Sequence, residues 1–123
     1  MKAVQIEQKT QHLYIGNEAD PVPKEGELLV RVYTTAVNRA DLVQKKGNYP
    51  PPKGESEILG LEMAGVVEGL GEGVTDWEVG DRVSALLPGG GYAEKVVIPS
   101  GMAMEIPGEF TFEEAAAIPE VFL

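Results

Sequence analysis

Glycine and proline, set between short apolar runs, constrain this chain more than any other feature. The 123 residues include 15 glycines and 9 prolines, together well above the ~12% of average usage. They punctuate the chain at intervals and form no low-complexity tract, so long helices have little room. The pattern calls for many short strands joined by tight turns, a β-rich barrel or sandwich. Lys2–Ile6 and Leu13–Glu18 are expected strands, linked by the polar stretch Glu7–His12. Pro21, Pro23 and Gly26 turn the chain into Glu27–Val37, the strongest strand, with β-branched residues and alternation through Leu29, Arg31, Tyr33 and Thr35. Leu61–Leu70 is a second long strand, in which Gly65 marks a bulge or a close backbone approach. Gly71–Gly73 turns the chain, and Val79–Val83 leads into a strand running to Leu87. Pro88–Gly91 then reads as a tight hairpin, with Tyr92–Ile98 pairing back as its second arm.

Two short helices complete the expectation. Asn38 is positioned as the N-cap of Asn38–Lys46, with Asp41 in the first turn where the helix dipole favours a carboxylate. Gly47 ends that helix, and the prolines of Asn48–Pro52 make a stiff loop carrying Tyr49, since proline donates no hydrogen bond. Thr111 and Glu114 have the spacing of a capping box, opening a helix through Ala115–Ala117 that Pro119 interrupts. The chain then stops on Val121-Phe122-Leu123, where frayed polar residues are usual, so it is expected to be cut from a longer protein.

Composition removes several functions. Lys and Arg number 10 against 20 Asp and Glu, a net charge of −10. Such a surface repels phosphate backbones and anionic lipid, which argues against nucleic acid and membrane partners. No cysteine is present, so disulfides, thiolate nucleophiles and Cys-based zinc sites are absent. His12 is the single histidine, too few for a His cluster or a Ser–His–Asp triad, and it is expected to be an exposed or capping residue. The N-terminus lacks the apolar core of a signal peptide, and no apolar run approaches a bilayer span. A cytoplasmic protein is the expectation.

The glycines of Gly69-Leu70-Gly71-Glu72-Gly73-Val74 invite a nucleotide-site reading, which their context denies. Val74 stands where a dinucleotide fingerprint needs its last glycine, and no helix opens after it to hold a pyrophosphate. A hairpin turn explains these residues. Pro88–Gly91 lacks the Lys-Ser/Thr of a P-loop, although so bare a backbone can approach a ligand closely. Trp77 is read as a core or lid residue. The best candidate cluster is Asn38, Arg39, Asp41, Tyr49 and Gly60-Leu61-Glu62, in which an amide, a carboxylate and a phenol can converge on a planar polar ligand. A purely structural account remains open: Asn38 as cap, Asp41 as dipole partner, Tyr49 as packing.

The ordered residues Gly60-Leu61-Glu62-x-x-Gly65-x-Val67-x-x-x-Gly71-x-x-Val74 and Gly80-Asp81-Arg82-Val83 resemble the signature of the medium-chain dehydrogenase/reductase superfamily in its GroES-like catalytic domain. Asn38-Arg39-Ala40-Asp41, Gly47-Asn48-Tyr49, Leu86–Gly91 and Ala115–Glu120 are similar to the zinc-independent quinone oxidoreductase branch. This resemblance covers nearly the whole chain and implies a mainly β, β-rich α+β fold, a GroES-like partly open β-barrel with short helices. One domain, residues 1–123, is expected, with a nucleotide-binding domain absent after it. Zinc-dependent members carry Cys where Asn38 stands and Gly-His-Glu where Gly60-Leu61-Glu62 stands; Leu61 cannot ligate zinc and Asn38 is a poor substitute for thiolate. The resemblance thus implies hydride transfer from NADPH to a small-molecule quinone without metal. Asn38 and Asp41 would border the nicotinamide, Tyr49 would line the substrate side and donate a proton, and Pro119 would lie near the cofactor at the domain junction. The cofactor's main anchor would lie beyond Leu123, so the isolated chain is expected to be inactive and its exposed inter-domain face prone to self-association. The whole protein would be open to homodimerisation. Alternatives are an NADPH-dependent enoyl-thioester reductase of the same superfamily, or a non-catalytic GroES-like module that binds proteins.

Overall fold

The structure, a computed structural model, describes residues 1–7, 9–10, 12–36 and 58–116. Among the described residues there are seven strands: β1 (Lys2–Ile6), β2 (Leu13–Asn17), β3 (Glu27–Thr35), β4 (Glu62–Leu70), β5 (Arg82–Leu86), β6 (Lys95–Pro99) and β7 (Met104–Glu105). β1 and β2 form an antiparallel hairpin, and the others form a five-stranded sheet in the order β6-β3-β4-β5-β7. Alternation decides which way β3 faces. Leu28 and Val30 point into the core with no exposed surface, while Arg31 and Tyr33 point out. Met63 and Val67 of β4, Val83 and Ala85 of β5, and Val96 and Ile98 of β6 complete that core. Burial of each such side chain stabilises by ~1.5–3 kcal/mol relative to exposure. Ala64 faces the other way and packs with Ile106, Ala115 and Ala116. The first half of β4 is therefore covered on both faces, as its continuous apolar burial requires.

The hairpin is tied to the larger sheet by residues 92–94. Val4 N–H donates to the Tyr92 carbonyl (2.8 Å), Glu94 N–H to the Lys2 carbonyl (3.1 Å) and Val32 N–H to the Glu94 carbonyl (2.8 Å). The ladder thus curls into a partly open barrel whose rim strands are β2 and β7. Gly65 sits where β3 and β4 shift register, and a Cβ there would collide with the Arg31 carbonyl. A bulge or a close approach is expected of this glycine, and the two coincide. The capping box is present: Thr111 N–H donates to Glu114 Oε1 (2.9 Å) and Glu114 N–H to Thr111 Oγ1 (3.1 Å). Residues 112–116 are helical. The Arg82 guanidinium donates to the Phe110 carbonyl (2.6 Å) and lies over the Phe112 ring, which Tyr33 also meets at 4.6 Å.

One expectation is corrected. Pro88–Gly91 is no tight hairpin, and the segment after it does not pair back onto β5. β6 lies beside β3, in register from Glu27↔Pro99 to Arg31↔Lys95. The flanks of β5 are taken by β4 and β7, so the glycine segment carries the chain across the barrel instead. The two-residue strand β7 is an addition to the expected set. Trp77 resolves as a core residue, packing on the main cluster with its indole N–H on the Ser100 carbonyl (3.1 Å). His12 is exposed. The expected helix Asn38–Lys46, the loop bearing Tyr49, and the stretch from Ala117 through Pro119 to Leu123 lie outside the described residues.

Candidate active site

β3 ends and β4 begins side by side, because the pair is antiparallel with Thr35 opposite Met63. Thr35 Oγ1 donates to the Glu62 carbonyl (2.7 Å), fixing the first residue of β4 to the last of β3. Glu62 is 1% exposed, a carboxylate held inside the protein at the point where β4 starts. Buried carboxylates require polar partners. Leu61 beside it is buried and apolar.

Next to this corner runs the glycine segment. Leu87 N–H donates to the Leu61 carbonyl (2.6 Å), Gly90 N–H to Ile58 (2.8 Å), Gly91 N–H to Gly60 (3.0 Å) and Tyr92 N–H to Leu59 (2.9 Å). The two backbones touch: a Cβ on Gly60 would lie 2.6 Å from both Gly91 Cα and Tyr92 N. Gly60 also has φ +111°, a conformation that side chains oppose. The bare backbone of Gly91 thus serves a protein contact, while Gly89 and Gly90 line a groove of about 580 Å³ together with Ile58, Leu87 and Pro88. Lys95 reaches the same groove and is paired with Asp20 (3.3 Å) and Glu68 (3.4 Å). Asp20, hydrogen-bonded first by the N-terminal ammonium and then by Lys95, has its pKa lowered; Lys95 has its own raised, chiefly by Asp20.

Of the expected site residues, Gly60, Leu61 and Glu62 are brought together with Thr35 and the glycine segment. Asn38, Arg39, Asp41, Tyr49 and Pro119 lie outside the described residues. Sequence reasoning missed Thr35, whose signal was its place at the end of an alternating strand, and missed the Gly60–Gly91 junction, signalled by the glycine run itself. In the glycine run 69–73, a Cβ on Gly71 would collide with the Lys24 carbonyl and lie 2.8 Å from that of Glu27, so this glycine serves a close contact between backbones. Among the described residues no group of three His, Cys, Asp or Glu side chains is placed to hold a metal ion. No helix among them is long and apolar enough to cross a membrane.

The strand-built, partly open barrel superposes on the N-terminal domains of medium-chain dehydrogenases and reductases. Residues 24–108 match the alcohol dehydrogenase GroES-like domain, and the chain belongs to that family. It is 38% identical over 111 residues to the mouse synaptic vesicle membrane protein VAT-1 homolog-like, covering 90% of this chain and 27% of the relative. A quinone oxidoreductase from Lama guanicoe is 35% identical over 101 residues, covering 81% of this chain and 31% of the relative. Among solved structures, the quinone oxidoreductase from Thermus thermophilus, also determined with NADPH, superposes with a TM-score of 0.79 at 34% identity, covering 97% of this chain and 37% of that one. The chain therefore spans about a quarter to a third of the length of the curated relatives it matches.

Proposed function

We propose that this chain is the substrate-facing domain of an NADPH-dependent quinone reductase that works without metal. The observation carrying this reading is the Gly60-Leu61-Glu62 corner, where an apolar leucine is buried beside a buried carboxylate and locked against the glycine segment. Such a corner has one acidic ligand where a zinc site needs three or four, yet it is rigid, and rigid placement is what hydride transfer asks of a protein. The relatives named as quinone oxidoreductases support the choice of substrate class.

Bound NADPH would supply the hydride. Among the described residues the glycine at 71 is taken up by a protein contact, and in this reading the cofactor's pyrophosphate is held elsewhere in the whole enzyme. Within the chain, Asn38 and Asp41, which follow β3 in sequence, would orient the nicotinamide through amide and carboxylate contacts, with Pro119 bordering it. Tyr49 would protonate the quinone oxygen; a phenol with an ordinary pKa near 10 is a serviceable acid at neutral pH. Thr35 and Gly91 act one step back, as positioning residues that hold Glu62 and the Gly60 turn in place. The isolated chain is inactive in this reading, and the protein works in the cytoplasm.

Two measurements test it. NADPH titrated into the 123-residue chain, followed by nicotinamide fluorescence, gives no saturable binding up to millimolar concentration; micromolar binding overturns the assignment of the anchor elsewhere. In the whole enzyme, naphthoquinone is reduced in preference to an enoyl thioester, and Tyr49→Phe lowers turnover by ~10²-fold. Preference for the thioester would assign the enoyl-reductase chemistry instead. An unchanged Tyr49→Phe rate would leave the phenol a purely shaping role.

A further inference from the structure

Arg82 ignores the partners expected of a cation in this chain. The sequence carries 20 acidic side chains against 10 basic ones, yet among the described residues no carboxylate pairs with the Arg82 guanidinium; the ion pairs there join Met1, Asp20, Lys95 and Glu68. Its Nη2 donates instead to the Phe110 carbonyl (2.6 Å). The guanidinium carbon lies 4.8 Å from the centre of the Phe112 ring, within the ~6 Å over which a cation and an aromatic face attract. Strand alternation brings it there. Val83 and Ala85 point into the main core, so Arg82 points to the opposite face of β5, the side on which Ala64 packs with Ile106, Ala115 and Ala116. Its backbone is fixed as well: Arg82 pairs with Val66 of β4, and its carbonyl accepts from Ile106 N–H (3.2 Å).

The two groups that Arg82 holds flank Thr111, the N-cap of the helical residues 112–116. The capping box of Thr111 and Glu114 fixes where that helix starts but not where it points. A helix opening at Phe112 and opposed by Pro119 stays below the ~12–15 residues at which helices hold themselves. Contacts from the sheet therefore set its direction. Ala115 and Ala116 rest on Ala64, and Arg82 pins the other end. Tyr33 meets the same Phe112 ring at 4.6 Å. That ring thus joins β3, which leads in sequence to Asn38 and Asp41, to the helix that leads to Pro119.

We infer that Arg82 is a positioning residue for the cofactor: by holding the Phe110 carbonyl and the Phe112 ring, it sets the line along which the chain leaves the barrel toward Pro119. This rests on the proposed function, in which Pro119 borders the nicotinamide and Tyr49 serves the quinone. Arg82 acts through the helix and not by touching cofactor or substrate. Its partners are a carbonyl and a ring, neither of which titrates, and the contact is part-buried. Salt therefore weakens it far less than it weakens an exposed ion pair.

Arg31 supplies the control. It stands in the same cross-strand row through Val66, is exposed, and has no ion pair or ring contact among the described residues. In the whole protein, Arg82→Met keeps the apolar stem and removes both the cation and the donor. Amide exchange over residues 110–116 is expected to quicken by at least ~10-fold, while the core amides of β5 exchange as before. With it kcat/KM for NADPH falls by ~10-fold, well inside the ~10²-fold that an ångström of misplacement can cost, and KM for naphthoquinone stays within ~2-fold. The loss is the same at low and high salt. Arg82→Lys keeps a cation near the ring but lacks the fork, so it recovers part of the loss. Arg31→Met changes none of these quantities. Unchanged exchange at 110–116 overturns the clamp, and quickened exchange with unchanged NADPH kinetics overturns the positioning role. Faster exchange across the whole barrel, the mark of general destabilisation, also overturns the inference. A wild-type protein that reduces no quinone with NADPH overturns the parent reading and the positioning role with it, and exchange over 110–116 then still decides whether Arg82 holds the helix.

Discussion

Two glycine-rich segments of this protein look alike in sequence and behave differently. Residues 69–73 (GLGEG) and 88–91 (PGGG) both lie at the exit from a strand and both invite a ligand-binding interpretation. The first ends β4 and starts the connection to β5, and its middle glycine is packed against the carbonyls of Lys24 and Glu27. Gly73, two residues on, has φ +82° and open space around it. The second segment crosses the barrel and, together with its neighbours Leu87 and Tyr92, is bonded to residues 58–61 by four backbone hydrogen bonds. One set of glycines makes a turn, and the other lets two backbones touch at the corner that holds Glu62. A glycine run therefore says that the backbone needs room; what takes the room is set by whichever segment folds against it.

Substitutions separate these roles, and stability against denaturant reads them. Gly71→Val is the most damaging, because the new side chain meets backbone carbonyls that cannot move aside. A loss of about 4 kcal/mol or more is expected, a large share of a small domain's total. Survival of the fold would mean that the turn can slide away from Lys24. Gly60→Ala follows, combining an unfavourable φ with a collision against Gly91 and Tyr92, for about 3 kcal/mol. If that variant folds, the proposed function predicts reduced turnover in the whole protein, since the corner at Glu62 must shift. Gly73→Ala has only the positive φ to oppose it and costs about 1 kcal/mol. A Gly73→Ala loss as large as that of Gly60→Ala would erase the distinction between the two segments.

The smallest effect concerns the ion pairs beside the groove. Asp20 has a folded pKa below its ordinary 3.8, so its contribution is present above that pH and is lost as pH falls through the folded value. Lys95 has a folded pKa above its ordinary 10.5, so its contribution holds below that pH and disappears as pH rises through the folded value. Both groups are solvent-accessible and the pairing is screened. Asp20→Asn is therefore expected to flatten the acid limb of the stability profile slightly and leave neutral stability nearly unchanged. A large loss at neutral pH would show that the pair holds the hairpin in place.

Much of the fold was legible because its signals are local. Alternation in Glu27–Thr35 marks a strand without reference to the rest of the chain, and it also sorts Leu28 and Val30 inward from Arg31 outward. Thr111 and Glu114 announce their capping box through spacing alone. Gly65 could be read as a close approach because strands rarely accept glycine for any other reason. Strand ends moved by a residue or two, since β4 begins at Glu62 and β5 ends at Leu86, where pairing partners and not propensity decide the boundary.

The candidate site was legible as residues but not as an arrangement. Gly60-Leu61-Glu62 could be singled out from the order of types, and the family to which residues 24–108 belong follows from the same pattern. That Thr35 would tie Glu62, and that Gly91 would lie on Gly60, could not be read, because each contact joins residues nearly thirty positions or more apart. By itself the sequence determined strand-forming segments, turn positions, the absence of thiol chemistry and the family. Only the tertiary structure decided that β6 crosses to β3 and that Pro88–Gly91 is a bridge and no hairpin. Strand propensity has a period and a length but carries no address, whereas pairing depends on which edge remains unsatisfied once β4 and β7 have flanked β5.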